Sequence, residues 1–205
     1  MKSTIVALAV AAFTAACTHA PDLSVSAAYS VDAQQSALNF VTTKAGQPGV
    51  SGFSEVSRFS RFSGALSTSG RITLDVDLAS VETGVGIRDE RMRTMLFNVS
   101  MWPKANFAAQ LDAAQLGAIA ANTSRDMDLN GTLTLAGQTL PLSAKLRVSR
   151  LVGGSLQVVT RAPIVVDAAQ FGMSAGVESL REVVGLNFLA AAAPVTFTMV
   201  LTARR

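Results

Sequence analysis

The sequence predicts an all-β fold, a mostly antiparallel barrel of about eight strands with two short helices. Apolar and polar residues alternate with a period of two along several stretches, as from Ile72 to Leu78, which is typical of strands with one buried face. Glycines stand where tight hairpin turns would join neighbouring strands, at Gly137-Gln138 and at Gly153-Gly154. The chain has 205 residues, of which 49% are hydrophobic, so one large domain can bury its own core.

Eight runs of β-forming residues carry the barrel prediction. They are Leu38 to Thr42, Phe59 to Leu66, Ile72 to Leu78, Asn106 to Leu111, Asp128 to Leu135, Thr139 to Val148, Leu156 to Val166 and Val195 to Thr202. Short turns between such runs favour antiparallel pairing of sequential strands. The uncharged stretch from Val183 to Leu201 is long enough for a membrane helix, but Pro194 and the alternation that follows it favour a strand.

Two stretches break the alternation and predict short amphipathic helices. From Gly86 to Phe97, Met92, Met95 and Leu96 stand at helical spacing among charged residues. From Ser174 to Val184 the apolar spacing is again helical, and Ser174 is a suitable N-cap. We expect both helices to plug the ends of the barrel.

The N-terminus predicts export. Lys2 is followed by an apolar run from Ile5 to Phe13 and by small residues before Cys17, which resembles a bacterial lipoprotein signal. The expected division is a signal peptide over residues 1–16, a flexible tether over 17–28 and the barrel domain over 29–205. The resemblance implies a lipidated Cys17 and anchoring to the outer membrane from the periplasmic side. Cleavage by the ordinary signal peptidase, which would leave a soluble periplasmic protein, is the alternative.

Composition argues against catalysis. The chain has a single histidine, His19, and a single cysteine, Cys17, and both lie in the expected tether, so neither a Ser-His-Asp triad nor a histidine metal site can form. Asp75 and Asp77 share one strand face, where solvated surface charge is favoured over a cation site or a catalytic pair. The net charge of +3 comes from scattered residues, which does not fit nucleic-acid binding. We expect no enzyme activity, no metal and no nucleic-acid partner.

The densest polar cluster runs from Arg88 to Arg93. Its arginines can act as a clamp for the polar or anionic end of a ligand, or the cluster can be the ion-paired solvent face of a helix. The second reading is favoured for Glu90 and Arg93. The choice stays open for Arg88, Asp89 and Arg91.

Short motifs follow one another in a fixed order from Tyr29 to Ala203. They are Tyr29-Ser30-Val31-Asp32, Phe59-Ser60-Arg61-Phe62-Ser63-Gly64, Val81-Glu82-Thr83-Gly84, Arg88-Asp89, Trp102-Pro103-Lys104-Ala105-Asn106-Phe107 and Asn130-Gly131-Thr132-Leu133. In this order they resemble the YceI-like, polyisoprenoid-binding family. The resemblance implies an extended lipocalin-like barrel of eight antiparallel strands with a long apolar tunnel for an isoprenoid or similar lipid.

With that resemblance, the expected function is enclosure of a polyisoprenoid, an isoprenoid quinone or a fatty-acyl lipid for transport or storage, with no cofactor besides this ligand. Alternatives are a quinone-presenting redox accessory of a membrane cytochrome and a ligand-free structural envelope protein. A homodimer stays open. An eight-stranded barrel can be hollow or filled, so pattern alone does not decide. The side chains expected to contact the lipid are Phe40, Phe62, Met92, Phe97, Trp102, Phe107, Phe171, Phe197 and Met199, with Arg88, Asp89 and Arg91 at its polar end.

Overall fold

The computed structural model describes residues 27–46, 48–49 and 51–204. The expected signal peptide, Cys17, His19 and most of the expected tether lie outside these residues. The strands are β1 (Tyr29–Ala45), β2 (Phe53–Phe59), β3 (Phe62–Leu66), β4 (Arg71–Asp77), β5 (Val81–Glu82), β6 (Lys104–Gln110), β7 (Ser124–Leu135), β8 (Gln138–Arg150), β9 (Leu156–Thr160), β10 (Ile164–Asp167), β11 (Phe188–Leu189) and β12 (Ala192–Ala203). The α-helices are α1 (Gly86–Arg91), α2 (Ala113–Gly117) and α3 (Ser174–Val183).

The sheet closes on itself because its first long strand pairs with its last. β1 runs antiparallel to β12 from Tyr29↔Ala203 to Phe40↔Val195. On the other side of β1, β2 and β3 form one bent strand, and β9 and β10 together do the same beside β12. The remaining ring is β4, β6, β7 and β8, each antiparallel to the next. The predicted closed barrel of eight antiparallel strands is confirmed.

Two of the predicted strands are interrupted. The run from Phe59 to Leu66 bends at Ser60 and Arg61, where β2 ends and β3 begins. The run from Leu156 to Val166 breaks after Thr160, before Pro163, whose missing N–H cannot join the ladder. Each break lets one long strand curve with the closed wall.

The β7–β8 hairpin has the predicted two-residue turn, one position earlier than expected. Its turn residues are Ala136 and Gly137, with φ of 48° and 77°. Positive φ at both positions matches the twist that two antiparallel strands need across a two-residue loop. Gly153 and Gly154, with φ of 83° and 86°, lie in the predicted turn between β8 and β9, which is longer than two residues and holds a 3-10 segment, Val152–Gly154.

A bulge in β1 keeps its inward face constant. Between Asp32 and Ala37 the strand advances by five residues, while its partner β12 advances by two, from Val200 to Thr198. In a regular strand, residues five apart lie on opposite faces and residues two apart lie on the same face. The bulge compensates for this difference, so residues on both sides of it can face the interior. Ser36 Oγ accepts from the Val200 backbone N–H at 2.9 Å, which satisfies a donor that the bulge leaves unpaired.

The helices lie in the connections at the two ends of the barrel. The predicted helix from Gly86 to Phe97 is present as α1 followed by a π-helical turn, Met92–Leu96. The predicted second helix is α3, but Ser174 is its first helical residue and makes no side-chain cap, so that cap prediction was wrong. The short α2 was not predicted. No helix in the described part of the chain combines the length and the apolarity needed to cross a membrane.

One barrel end is closed by α2 and the loop after it. Leu116 and Ile119 are almost completely buried there. Arg150, at the end of β8, donates from Nε to the Ile119 carbonyl at 2.7 Å and from a terminal nitrogen to the Leu116 carbonyl at 3.1 Å. The Tyr29 hydroxyl, which also contacts Arg150, donates to the Gly154 carbonyl at 3.2 Å. The carbonyls of Leu116, Ile119 and Gly154 at this closed end are therefore paired.

Candidate ligand cavity

The barrel is hollow. A cavity of about 700 Å³ occupies its interior, within the range of pockets that bind small organic ligands. Inward residues of the strands form its wall, as on β6, where Ala105 and Phe107 line the cavity and the alternate residue Ala108 is exposed on the outside. Most of the wall is aliphatic or aromatic, so the space suits an apolar guest.

Three phenylalanines run along one side of the cavity. The ring centroids of Phe40 and Phe59 are 5.2 Å apart, and those of Phe59 and Phe97 are 5.9 Å apart. All three residues line the cavity. Tilted contacts at these distances are favourable for aromatic rings, so the row is a rigid apolar surface.

The π-helical turn places the side chains of Met92, Leu96 and Phe97 on the cavity wall. Its wider winding shows in the hydrogen bond from the Phe97 N–H to the Met92 carbonyl at 2.9 Å, five residues back. Arg93 fixes this segment to the barrel, because its Nε donates to the Ala79 carbonyl at 2.8 Å. The turn is thus an anchored part of the wall.

Helix α3 covers the same end and packs closely on the π-helical turn. A Cβ atom on Gly176 would lie 2.6 Å from the Met95 carbonyl oxygen, closer than a methyl group can approach. Glycine is therefore required for this contact. From α3, Val177 and Leu180 reach the cavity.

The cavity opens beside these helices. Four of its lining residues, Phe53, Val85, Ile87 and Val184, are also between 41% and 60% exposed to solvent. They lie on the β1–β2 hairpin, before and in α1, and after α3. We call this ring the mouth. Its apolar side chains continue from the outer surface into the cavity.

Among the residues that the structure describes, the charged ones that line the cavity are Lys44, Glu55, Arg88 and Arg91, and they belong to the elements around the mouth. Glu55 lies 2.6 Å from the Lys44 Nζ and 2.6 Å from a terminal nitrogen of Arg88. The Lys44 ammonium, through its hydrogen bond, lowers the pKa of the Glu55 carboxyl, and the charge of Arg88 lowers it further. Glu55 therefore stays ionised between two cations.

A family model described as the YceI-like domain matches residues 29–201. The chain belongs to the YceI-like family. Its structure is similar to that of a polyisoprenoid-binding domain from Saccharophagus degradans implicated in plant cell wall breakdown, at 34% identity and a TM-score of 0.80, over 87% of this chain and 99% of that chain. It also has the fold of BcnA from Burkholderia cenocepacia, at 18% identity and a TM-score of 0.62, over 84% of this chain and 99% of that chain. Among curated proteins there is no match.

Most of the predicted contact residues lie on the wall of this YceI-like barrel, and four do not. Phe62 and Phe171 are buried without reaching the cavity. Trp102 is 38% exposed and packs over Gly137, where a Cβ would lie 2.6 Å from the indole ring. The residues on the wall are Phe40, Met92, Phe97, Phe107, Phe197 and Met199, with Arg88 and Arg91 at the mouth.

Asp89 is the fourth predicted residue away from the YceI-like cavity wall. Its Oδ1 accepts from the Thr83 N–H at 2.8 Å and from the Thr83 hydroxyl at 2.6 Å, so it orders the turn before α1. Asp75 and Asp77 are surface groups, since Asp75 accepts from Asn106 and Asp77 pairs with Arg61. In residues 27–46, 48–49 and 51–204, no three His, Cys, Asp or Glu side chains gather as a metal site requires.

Sequence reasoning missed Phe59, Lys44 and Glu55 on the wall of the YceI-like barrel. Phe59 belongs to a predicted strand, but the bend after it hid which face it takes. Lys44 and Glu55 are paired by the β1–β2 hairpin, whose register joins Thr42 to Glu55 and Lys44 to Phe53. Their position on the wall depends on that register, which the sequence alone did not give.

Proposed function

We propose that this protein encloses the chain of one long apolar lipid, an isoprenoid or a fatty-acyl chain, in the barrel cavity. The observation that carries the proposal is the apolar cavity of about 700 Å³. Exposed apolar residues surround it at the mouth, and buried side chains close the barrel at the α2 end. The polyisoprenoid-binding name of the domain that shares 34% identity supports the same ligand class.

Burial of the chain supplies the affinity. Each methylene removed from water contributes about 0.8 kcal/mol, so a chain of ordinary lipid length offsets the entropic cost of binding. The wall offers few polar partners, so we expect chain length to control affinity more than functional groups along the chain. We propose that Phe40, Phe107 and Phe197 contact the bound lipid chain.

A pair of substitutions on β6 tests the proposal. Ala105→Phe places a ring in the cavity, whereas Ala108→Phe places the same ring on the outer face of the same strand. Native mass spectrometry of protein purified without detergent exchange should show a stoichiometric lipid on the wild type and on Ala108→Phe. Ala105→Phe should lose most of that mass.

Thermal unfolding of both variants separates loss of lipid from loss of fold. A bound lipid stabilises the folded state by mass action, so the wild type should melt higher before delipidation than after it. Wild-type protein that carries no lipid and takes up none in vitro contradicts the proposal, as does an Ala105→Phe variant with full occupancy.

We also propose that the chain is exported and serves in lipid transport or storage in the periplasm, held to the outer membrane by a lipidated Cys17. The positive Lys2, the apolar run after it and the small residues before the cysteine support this location. Two acyl chains give stable anchoring, which one chain does not. Cys17→Ala should therefore move the protein from the membrane fraction to the soluble periplasmic fraction. An unchanged distribution would exclude the anchor.

A further inference from the structure

The charges in the cavity are unevenly placed and unevenly balanced. Lys44, Glu55, Arg88 and Arg91 are its charged lining residues in the described part of the chain, three cations to one carboxylate, and all belong to elements at the mouth. On the outer wall, Arg58 pairs with Glu82 and Arg61 with Asp77. The side chains that line the cavity thus carry a positive surplus of two charges.

The hydrogen-bond donors at the mouth are only partly used. Both terminal nitrogens of Arg88 donate to Glu55, at 2.6 Å and 3.4 Å, and Lys44 uses one N–H on the same carboxylate. Lys44 therefore keeps further donors. Within the residues that the structure describes, no carboxylate lies within ion-pair distance of Arg91, which lines the cavity.

The surroundings strengthen these charges. The side chains of Lys44 and Arg88 are 16% and 28% exposed, so water screens them less than it screens cations on the outer surface. The Lys44 ammonium also lies 5.0 Å from the centroid of the Phe53 ring at the mouth. This cation–π contact holds the charge where the apolar wall begins. A cation at the mouth of an apolar cavity suits a ligand with one anionic end and one apolar chain.

We propose that Lys44, Arg88 and Arg91 bind the anionic terminal group, a carboxylate or a phosphate, of a single-chain lipid whose tail fills the cavity. The proposal rests on the lipid binding proposed above and adds the chemical class of the ligand's end. Glu55 holds Lys44 and Arg88 together when no ligand is present and leaves Arg91 as the free positive group. Charge-assisted hydrogen bonds to such a head group select an anionic lipid over a neutral one with the same tail.

Ligands with matched tails test this selectivity. Hexadecanol, palmitate and hexadecyl phosphate share a sixteen-carbon chain and differ at the end group, so titration of delipidated protein with each, below the concentrations at which they form micelles, isolates the head. Wild-type protein should bind palmitate or hexadecyl phosphate at least about tenfold more tightly than hexadecanol, since a hydrogen bond to a charged group stabilises by more than the equivalent of one decade. The anion that binds more tightly shows whether the site prefers a carboxylate or a phosphate end group.

Substitutions assign the effect to the mouth. Arg91→Gln should lower the ratio of anion to alcohol affinity, and Arg91→Lys should keep most of it. Arg125→Gln removes the same charge from an exposed position on β7 away from the cavity and is the matched control. A fall in the ratio with Arg125→Gln equal to that with Arg91→Gln would overturn the proposal, because net charge alone would then explain it.

The ligand series also distinguishes this inference from the proposed function. Equal affinity of the wild type for all three ligands overturns the anionic-end site and leaves lipid binding in place. Binding of none of them, nor of a prenol such as farnesol, contradicts lipid binding itself. Circular dichroism of each variant before titration shows that the barrel is intact.

Discussion

The two ends of the barrel are closed by different means. At the α2 end, apolar side chains are almost fully buried and Arg150 pairs the carbonyls of Leu116 and Ile119. At the mouth, partly exposed apolar residues surround a cluster of ion pairs, and α1 and α3 cover the opening only in part. One end therefore has the composition of a protein core and the other that of a binding site.

The difference predicts unequal local stability. Segments with few buried contacts and solvent-accessible ion pairs open at lower free energy than a packed core. The mouth should thus admit a ligand while the barrel and its sealed end remain folded.

Truncation of a buried leucine at the sealed end should have the largest effect. Leu116 is 1% exposed, and Leu116→Ala should lower the free energy of unfolding by about 2 to 5 kcal/mol, because it removes buried methyl groups and leaves a void. Ile87→Ala at the mouth, where the side chain is 60% exposed, should change it by less than about 0.5 kcal/mol. Urea unfolding of the delipidated variants measures both. Equal losses would contradict the contrast.

The guanidinium at the sealed end should contribute next most. Arg150→Met retains the apolar stem but leaves the carbonyls of Leu116 and Ile119 without their donor, at a cost of about 1 to 3 kcal/mol. Arg147→Met, which breaks an exposed pair with Asp126, should cost less than about 1 kcal/mol. Denaturant titrations of the two variants compare them, and an Arg150→Met variant as stable as Arg147→Met would show that water replaces the lost donor.

Alternation and turn chemistry were sufficient to predict the wall of the barrel. The run from Ile72 to Leu78 and the turn at Gly137 are local signals, and local signals determine strands and hairpins. The sealed end was not predicted, because α2 is a five-residue helix too short for a periodic pattern and Arg150 acts through contacts distant in sequence.

The site was less predictable than the wall because a side chain's type does not tell which face it takes. Trp102 has the size and apolarity of a lining residue, yet it packs outside the barrel over the glycine of a hairpin turn. Phe59 and Phe62 flank a bend, so a period of two cannot carry a face assignment from one to the other. Whether the interior is hollow or filled was not predictable from the pattern either, because a closed barrel of eight strands allows both.

A methyl group on α3 should loosen the mouth without unfolding the barrel. Gly176→Ala replaces glycine by a better helix former, but the new Cβ would lie 2.6 Å from the Met95 carbonyl, so α3 must move away from the π-helical turn. Amide hydrogens of residues 92–97 should exchange about tenfold faster by mass spectrometry, as a loss of local stability of about 1 to 2 kcal/mol would give. Gly86→Ala, where a Cβ meets open space, is the control and should leave exchange unchanged. Unchanged exchange in both variants would mean that α3 accommodates the methyl group without moving away from the π-helical turn.

Acid should weaken the mouth, and this loss of stability should be smaller than the losses from the three substitutions above. The Lys44 ammonium and, less strongly, Arg88 hold the pKa of the Glu55 carboxyl below its ordinary value. A carboxyl whose pKa is lowered by folding stabilises the folded state above its unfolded pKa, and this contribution is lost as the pH falls through the lower, folded value. Glu55→Gln lacks the ionisable group, so the stability difference between wild type and variant should shrink as the pH falls through that window. Asp126, Glu82, Glu178 and Asp32 also have lowered pKa values, but both proteins retain them, so the difference isolates Glu55. A difference that stays constant from neutral pH to below the folded pKa would show that the ionised carboxylate does not stabilise the mouth.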